Sequence, residues 1–193
     1  MADTPNPAAS NPAAGPRAPA GDEHDTSCLP IGTRLGEFEI TGLIGVGGFG
    51  IVYSARDHQL EREVAIKEYM PSALASRGND LRVTVKSERH QETFGVGLRS
   101  FVNEAKLLAQ FDHPSLVKVY RFWEDNGTAY MAMPYYRGVT LRTALKNLGE
   151  APDEAAITQL LVPLLDALEV IHAERCYHRD IAPDNILLTT RGP

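Results

Sequence analysis

Alternating apolar and polar positions begin near residue 36 and mark the first of several predicted strands. The stretch GEFEITGLI places Phe38 and Ile40 on one face, as a half-buried strand does. A glycine-rich segment interrupts the pattern, and the β-branched stretch IVYSARD and the apolar stretch REVAIKEYM follow it. These three segments predict an antiparallel meander of strands.

The hydrophobic pattern then changes from a period of two to a period of about 3.6 residues. Two further strands, LVKVYRFWED and TAYMAMPYY, flank an Asn-Gly pair at residues 126–127, which is a strong hairpin signal. Before them, the stretch SFVNEAKLLAQF predicts a helix. Its apolar stripe consists of Phe101, Ala105, Leu108 and Phe111.

Two helices are predicted after these strands. The shorter, TLRTALKNL, ends at Gly149, and the longer runs from Asp153 to about Ala173 behind Pro152, a good helix-entry residue. Residues 71–97 show weak periodicity and predict an insertion, which holds either an extra strand, LRVTV, or flexible chain. This order indicates an α+β fold with a small sheet lobe of five strands followed by the start of a helical lobe.

Composition and charge narrow the function classes. Of the 193 residues, 43% are hydrophobic and 23% are charged, which is typical of a globular protein. The net charge of −6, without a cluster of Lys and Arg, argues against a nucleic-acid partner. Residues 1–30 are rich in Pro and Ala and lack large apolar groups, so they predict a disordered tail.

Cysteine usage and apolar runs bear on the compartment. Cys28 and Cys176 lie far apart and form no metal-binding or disulfide framework, which indicates a reducing compartment. No signal peptide is evident, and the apolar run at residues 160–165 is too short to span a bilayer. We therefore expect a cytoplasmic protein with no membrane segment in this chain.

The segment GVGGFG at residues 45–50 is the first candidate for chemistry, because it fits the pattern G-x-G-x-x-G. In a dinucleotide-binding fold a helix follows these glycines, whereas the strand former IVYS follows them here, so that fold is disfavoured. A hairpin lid over a nucleotide is the better interpretation. Glycine N–H groups can approach phosphate oxygens, Phe49 can shield them from water, and Val52 can pack on a base.

Lys67 and Glu104 are the second candidate. Lys67 ends the apolar run VAI, and Glu104 lies on the predicted amphipathic helix. Taken singly, each fits a solvated surface residue. After a glycine hairpin, the two together indicate a lysine that binds nucleotide phosphates and a carboxylate that holds it in place.

The segment HRDIAPDN at residues 178–185 matches the pattern H-R-D-x-x-x-x-N. With IGVGGFGIVY, VAIK and the helix that carries Glu104, all in this order, it makes residues 31–193 resemble a eukaryotic-type Ser/Thr protein kinase domain. The resemblance covers roughly the first two-thirds of such a domain. The Pro/Ala-rich tail and the IAPDN variant resemble bacterial members.

The resemblance implies an ATP-dependent enzyme with Mg²⁺ as a second cofactor and a protein with a Ser or Thr acceptor as its partner. It implies that Asp180 is the catalytic base, that Lys67 holds the phosphates while paired with Glu104, and that Asn185 binds the metal. The implied nucleotide-binding residues are Ile44, Gly45, Val46, Gly47, Gly48, Phe49, Gly50, Val52, Ala65, Lys67, Met133, Pro134 and Tyr136.

The resemblance also divides the chain into a sheet lobe with a hinge at 31–136 and the start of a helical lobe at 137–193. Met133 falls at the gatekeeper position. In kinases the first hinge position offers a carbonyl to adenine, which Pro134 keeps, and the N–H comes from the residue two further on, Tyr136.

Ala182 departs from the family pattern, because Ser/Thr kinases usually carry a lysine there that contacts the transferring phosphate. Its absence leaves less positive charge for the transition state. Tyrosine kinases also lack this lysine, so position 182 leaves both acceptor types open, whereas Pro183 to Asn185 resemble the Ser/Thr pattern PEN and favour that class.

Two other functions deserve comparison with a kinase. A nucleotide-binding pseudokinase or regulatory fragment would share every motif above. The family's Asp-Phe-Gly motif, whose Asp binds magnesium, does not occur within the 193 residues, so the sequence leaves these two alternatives open. An aminoglycoside- or lipid-type phosphotransferase is disfavoured by the full VAIK and HRD set.

The long helix is apolar on more than one face, which predicts exposed apolar surface in this chain and self-association through it. The residues concerned are Ile157, Leu160, Leu161, Leu164, Leu165, Leu168 and Ile171.

We predict that the 193-residue chain by itself transfers phosphate to protein poorly, because only Asn185 and the nucleotide phosphates would hold magnesium. The measurement is phosphate incorporation into a protein acceptor by the purified chain with Mg-ATP, beside a Lys67→Met variant. Robust transfer that depends on Lys67 would contradict this expectation.

Overall fold

The computed structural model describes residues 27–178 and 180–189. The order of its elements confirms the predicted α+β architecture, with strands and one helix first and further helices later. Residues 1–26 of the tail predicted at residues 1–30 lie outside the described residues. The elements are β1 (Arg34–Leu35), β2 (Phe38–Val46), β3 (Gly50–Asp57), β4 (Arg62–Tyr69), β5 (Ala75–Arg77), β6 (Val83–Val85), α1 (Glu88–Leu108), β7 (Arg121–Asp125), β8 (Thr128–Pro134), β9 (Gly138–Thr140), α2 (Leu141–Asn147), α3 (Glu154–Ala173) and β10 (Leu187–Thr189).

The main sheet is antiparallel and has the order β1-β2-β3-β4-β8-β7. The two-residue strand β1 at its edge is the addition to the five predicted strands. The predicted hairpin between β7 and β8 is confirmed, and Asn126 and Gly127 both adopt positive φ, at 51° and 71°, as a tight hairpin turn requires. Strands β5 and β6 and helix α1 lie between β4 and β7 in the chain, and in the sheet β4 pairs with β8.

The sheet curls strongly about its core. Trp123 of β7 stacks on Tyr130 of β8 with ring centroids 5.3 Å apart, and it also stacks on Phe38 of β2 at 5.5 Å. Since β2 and β7 are separated by three strands in the sheet order, this contact requires the two sides of the sheet to approach each other. An ion pair between Arg121 and Glu37 joins the same two sides.

Helix α1 is longer than its predicted form, because it begins at Glu88, well before residue 100. Residues 88–97, predicted to belong to the insertion, are therefore its first turns. Gly95 and Gly97 are poor helix formers, and they hid the extension of the apolar stripe to Phe94. The fourth predicted strand is shorter than expected, since β7 begins at Arg121.

The insertion holds a hairpin, which confirms the extra strand as β6 paired with β5. Arg77 of β5 is 2% exposed and donates to Glu68 of β4, which is fully buried, at 2.5 Å. Arg77 also donates to the carbonyls of Ser27 and Leu81, each at 2.7 Å. Burial would lower the pKa of Arg77, but the hydrogen bond and charge of Glu68 raise it.

Glu68 also anchors the interior of the curled sheet. The Tyr53 hydroxyl donates to it at 2.8 Å, and the Leu29 N–H donates to that hydroxyl at 3.0 Å. Burial and the neighbouring carboxylate raise the pKa of Tyr53. The inserted hairpin, the first described residues and β4 are thus joined through one carboxylate.

Helices α2 and α3 begin at N-caps, where the side chains of Thr140 and Asp153 accept from backbone N–H groups. Helix α3 continues through Pro163, and only Ala167 and Ile171 are buried on it. Of the seven apolar residues predicted to be exposed, Ile157, Leu161 and Leu165 are exposed, whereas Leu160, Leu164 and Leu168 are half-buried and Ile171 is buried. In all, five large apolar residues of α3 are exposed. They are Ile157, Leu161, Val162, Leu165 and Val170.

Within the described residues, α3 is the one helix that is long and apolar enough to cross a membrane by length and composition. Helices from the cores of water-soluble proteins have the same length and hydropathy. These two properties therefore do not by themselves make α3 a membrane span.

We predict that Arg77→Met lowers the free energy of unfolding by about 3–5 kcal/mol, because Glu68 then keeps a buried charge without its cation. Urea denaturation measures the effect. Adding Glu68→Gln should recover much of the loss by removing that charge. The control is Arg137→Met, in the exposed pair with Glu63, which should change stability little. A loss that Glu68→Gln does not reduce would contradict this interpretation.

Candidate nucleotide site and catalytic loop

The glycine segment forms the tight connection between β2 and β3. Gly47 N–H donates to the Gly50 carbonyl at 2.8 Å, and Phe49 at the tip is 83% exposed. A Cβ at Gly50 would overlap the Glu68 carbonyl, so glycine lets β3 and β4 approach each other closely there. The Met70 N–H donates to the Phe49 carbonyl at 3.2 Å and holds the tip near the end of β4.

One face of the sheet carries the predicted residues for a nucleotide. Val52 lies opposite Lys67 in the register, and Ala65 lies opposite Met133, so these four side chains share a face. The structure places the predicted nucleotide-binding residues on β2 (Ile44, Gly45, Val46), the following turn (Gly47, Gly48, Phe49), β3 (Gly50, Val52), β4 (Ala65, Lys67), β8 (Met133, Pro134) and the segment after β8 (Tyr136).

Lys67 and Glu104 meet, although they are far apart in sequence. Lys67 Nζ donates to Glu104 Oε1 at 2.9 Å. The ammonium also lies 5.6 Å from the ring centre of Phe101, one turn before Glu104 on α1. The side chains are 34% and 48% exposed, so the pair stays accessible to a ligand.

The predicted hinge lies at the end of β8 and in the segment before β9. Pro134 is the last residue of β8 and pairs with Val64 of β4. At the end of the strand, proline does not interrupt the pairing of the residues before it. Beyond it, β9 pairs with β10 and ties the exit of the hinge to the segment after the catalytic loop. A Cβ at Gly138 would overlap the Leu188 carbonyl, so this close pairing depends on glycine.

Asp180 and Asn185 of the predicted catalytic loop lie together. The Asn185 side-chain amide donates to the Asp180 carboxylate at 2.9 Å and to the backbone carbonyl of Asp180 at 3.0 Å. This orientation of the amide uses its nitrogen and leaves Asn185 Oδ1 available as a ligand. The Asn185 N–H donates to the Ala182 carbonyl at 2.9 Å, and Arg179 lies outside the described residues.

The start of α2 clamps the same loop. The Leu141 N–H donates to the Ile186 carbonyl at 2.8 Å, and the Arg142 N–H donates to the Pro183 carbonyl at 3.0 Å. Arg142 Nε also donates to Asp184 Oδ1 at 2.5 Å, and this hydrogen bond lowers the pKa of Asp184. Sequence reasoning missed the role of Arg142, because no local pattern reports a contact across 42 residues.

A cavity of about 170 Å³ adjoins the loop, between it and α3. Of the predicted site residues, Tyr136, Asp180 and Asn185 line it. The glycine segment and Lys67 lie outside it. The structure therefore gathers the predicted residues in two groups, one on the sheet and one at the loop, and the hinge connects them.

Mg²⁺ takes few protein ligands and usually completes its coordination with water and substrate phosphates. Asn185 Oδ1 is an oxygen atom of the kind that it prefers. Among residues 27–178 and 180–189, no group of three or more His, Cys, Asp and Glu side chains is suited to hold a metal. The oxygens present fit a magnesium ion that arrives with a nucleotide better than one held by the protein alone.

Comparison with known proteins decides the family. The profile described as protein kinase domain matches residues 38–193. The chain belongs to the protein kinase family. The curated relatives described below are Ser/Thr-protein kinases. Protein kinases use ATP and Mg²⁺.

Two curated Ser/Thr-protein kinases illustrate the relationship. PknD of Chlamydia trachomatis serovar D is 34% identical over 166 residues, which cover 80% of this kinase chain and 16% of PknD. PrkC of Bacillus subtilis is 31% identical over 163 residues, which cover 84% of this chain and 22% of PrkC. The chain thus spans less than a quarter of the length of either relative.

Solved structures agree on the fold. The structure entitled "PpkA-294 apo form" superposes with a TM-score of 0.82 at 53% identity, over 86% of this chain and 59% of that one. The PknI kinase domain of Mycobacterium tuberculosis superposes with a TM-score of 0.66 at 20% identity, over 86% and 59% of the two chains. The second likeness supports the kinase fold alone.

We predict that Arg142→Ala loosens the catalytic loop without unfolding the chain, because two backbone hydrogen bonds from α2 remain. Hydrogen exchange should quicken at the Asn185 amide. Arg137→Ala, which removes an exposed arginine that pairs with Glu63 and not with the loop, serves as the control. Equal exchange at Asn185 in both variants would show that Arg142 does not hold the loop.

Proposed function

We propose that this chain forms the nucleotide-binding lobe and the catalytic loop of a kinase that transfers the terminal phosphate of ATP to Ser or Thr in proteins. The observation that carries this proposal is the ion pair between Lys67 and Glu104. Lys67 lies on β4, the second strand after the glycine segment, and Glu104 lies on α1. A lysine held in this way presents a fixed positive charge to nucleotide phosphates.

The sheet face offers complementary chemistry for the rest of the nucleotide. The side chains of Val52, Ala65 and Met133 form an apolar wall for the base. In the proposed complex, the Pro134 carbonyl accepts from the adenine amino group and the Tyr136 N–H donates to a ring nitrogen. The glycine backbone covers the phosphates, and Phe49 limits access of water.

The catalytic loop supplies the chemistry at the acceptor. The Asp180 carboxylate is exposed and oriented by the Asn185 amide, so it can orient an acceptor hydroxyl and take its proton. Asn185 Oδ1 would hold Mg²⁺. The bound ion would supply charge neutralisation to the phosphates.

The acceptor class and the compartment are also proposals. Pro183 to Asn185 resemble the Ser/Thr pattern, and PknD and PrkC, which are described as Ser/Thr kinases, support that class. The cysteine usage supports a cytoplasmic location.

A nucleotide-binding module without catalysis is the alternative. Ala182 favours it, because this position lacks the cation that usually stabilises the transferring phosphate. Both alternatives use the same face of the sheet. They differ in whether Asp180 accepts a proton during turnover.

We predict that Mg-ATP at a hundredfold excess over its Kd raises the free energy of unfolding of the full-length protein by about 2.7 kcal/mol. Lys67→Met should remove most of this gain, whereas Lys118→Met, a surface lysine paired with Asp112, should retain it. Asp180→Asn should retain binding and lower the rate of phosphate transfer about 10²–10⁴-fold, since the base is lost.

Absence of stabilisation by Mg-ATP would refute both alternatives. Binding without any transfer that depends on Asp180 would support the module.

A further inference from the structure

Tyr69 lies two residues after Lys67 on β4, so both side chains point to the face on which α1 packs. The Tyr69 ring contacts Phe94 at 5.1 Å and Phe101 at 5.9 Å between ring centres, and both are buried residues of α1. The Tyr69 hydroxyl donates to the Phe94 carbonyl at 3.2 Å. One side chain therefore contacts two successive stretches of the helix.

Gly97 lies between these two phenylalanines and forms a notch in the helix surface. A Cβ at Gly97 would overlap the Tyr69 hydroxyl oxygen and would come within 2.9 Å of the ring carbon that bears it. Apart from proline, glycine is the residue least favourable to a helix interior. The Tyr69 hydroxyl gives a reason for its presence here.

Gly95, on the same helix, has different surroundings. A Cβ there would meet only the end of the Arg99 side chain, at 3.5 Å. That distance is an ordinary van der Waals contact with a flexible group. The notch therefore belongs to Gly97 and not to the helix as a whole.

The ion pair of Lys67 and Glu104 cannot by itself hold α1 in place. Both side chains are at least one-third exposed, and ion pairs in such positions contribute little to stability. Of the described residues of α1, Phe94, Phe101 and Ala105 are buried, and Tyr69 contacts the first two. The helix, which also lies against β6 and β8, is therefore held by packing, to which Tyr69 contributes, more than by charge.

Tyr69 is itself fixed in the sheet. Its side chain is 4% exposed, and its carbonyl accepts a hydrogen bond from the buried Thr128 hydroxyl of β8. Phe101 and Glu104 are three residues apart and lie on one side of α1. A shift of the helix at the Tyr69 contact would therefore displace Glu104 from Lys67.

We propose that Tyr69 and the Gly97 notch set the register of α1 on β4 and thereby bring Glu104 to Lys67. Tyr69 is a positioning residue, since it acts through the ion pair. The effect of Tyr69 on nucleotide binding rests on the proposed function. The contact between β4 and α1 is independent of that function.

The first experiment measures unfolding midpoints in urea for the full-length protein and its variants. Gly95→Ala should raise the midpoint, because alanine favours a helix and finds space. Gly97→Ala should lower it. Tyr69→Phe should lower the midpoint of the unsubstituted protein but raise that of Gly97→Ala, because the hydroxyl that overlaps the new methyl group is gone. A midpoint of Gly97→Ala equal to or above that of Gly95→Ala would overturn the inference.

The second experiment measures the Kd for Mg-ATP. Gly97→Ala should weaken binding at least about fivefold, the lower end of typical coupling between sites, whereas Gly95→Ala should leave it unchanged. Adding Glu104→Gln to Gly97→Ala should not raise the Kd further, because the ion pair is already broken in that variant. Added to Gly95→Ala, the same substitution should raise the Kd by its full effect. Equal Kd values for the two alanine variants would overturn the inference while leaving the proposed function intact. Absence of Mg-ATP binding by the unsubstituted protein would refute the proposed function, and the urea midpoints would then decide the contact.

Discussion

The side-chain contact between α1 and β4, through Tyr69 and the ion pair of Lys67 and Glu104, is the constraint on which the candidate nucleotide site depends. Strand β4 presents Lys67 and Tyr69 on one face and Glu68 on the other. The first face meets the helix, and the second closes the interior of the curled sheet. A strand with this alternation of charged, buried and aromatic side chains cannot slip by one residue, because every side chain would then point to the wrong face.

The ion pairs on the two faces differ in energetic character. Arg77 and Glu68 are almost fully buried, so their pairing must offset the desolvation of both charges, and it joins the hairpin to the sheet at a defined position. Lys67 and Glu104 are partly exposed and contribute little to folding. Their weak pairing suits a binding role, since a ligand can compete for the lysine without unfolding the lobe.

Particular elements show how far sequence reasoning reached. Strands β2, β3, β4 and β8, the hairpin at Asn126, and helices α2 and α3 follow from local periodicity and turn residues, and the order of motifs identified the family. The predicted start of α1 was wrong, because Gly95 and Gly97 lower the helix propensity of this stretch and the contact of Gly97 with Tyr69 is not visible in the sequence. The contact of Arg142 with Asp184 was also missed, since neither residue lies in a pattern that reports a distant partner.

The sequence by itself determined the kinase family and the order of the motifs that carry the predicted site residues. These properties depend on residue types at short spacings, which local physics constrains. The tertiary structure alone decided that the insertion covers Glu68, that Gly97 accommodates Tyr69, and that α2 holds the catalytic loop. Such contacts join residues far apart in the chain, and they depend on how the elements pack together, which no local pattern encodes.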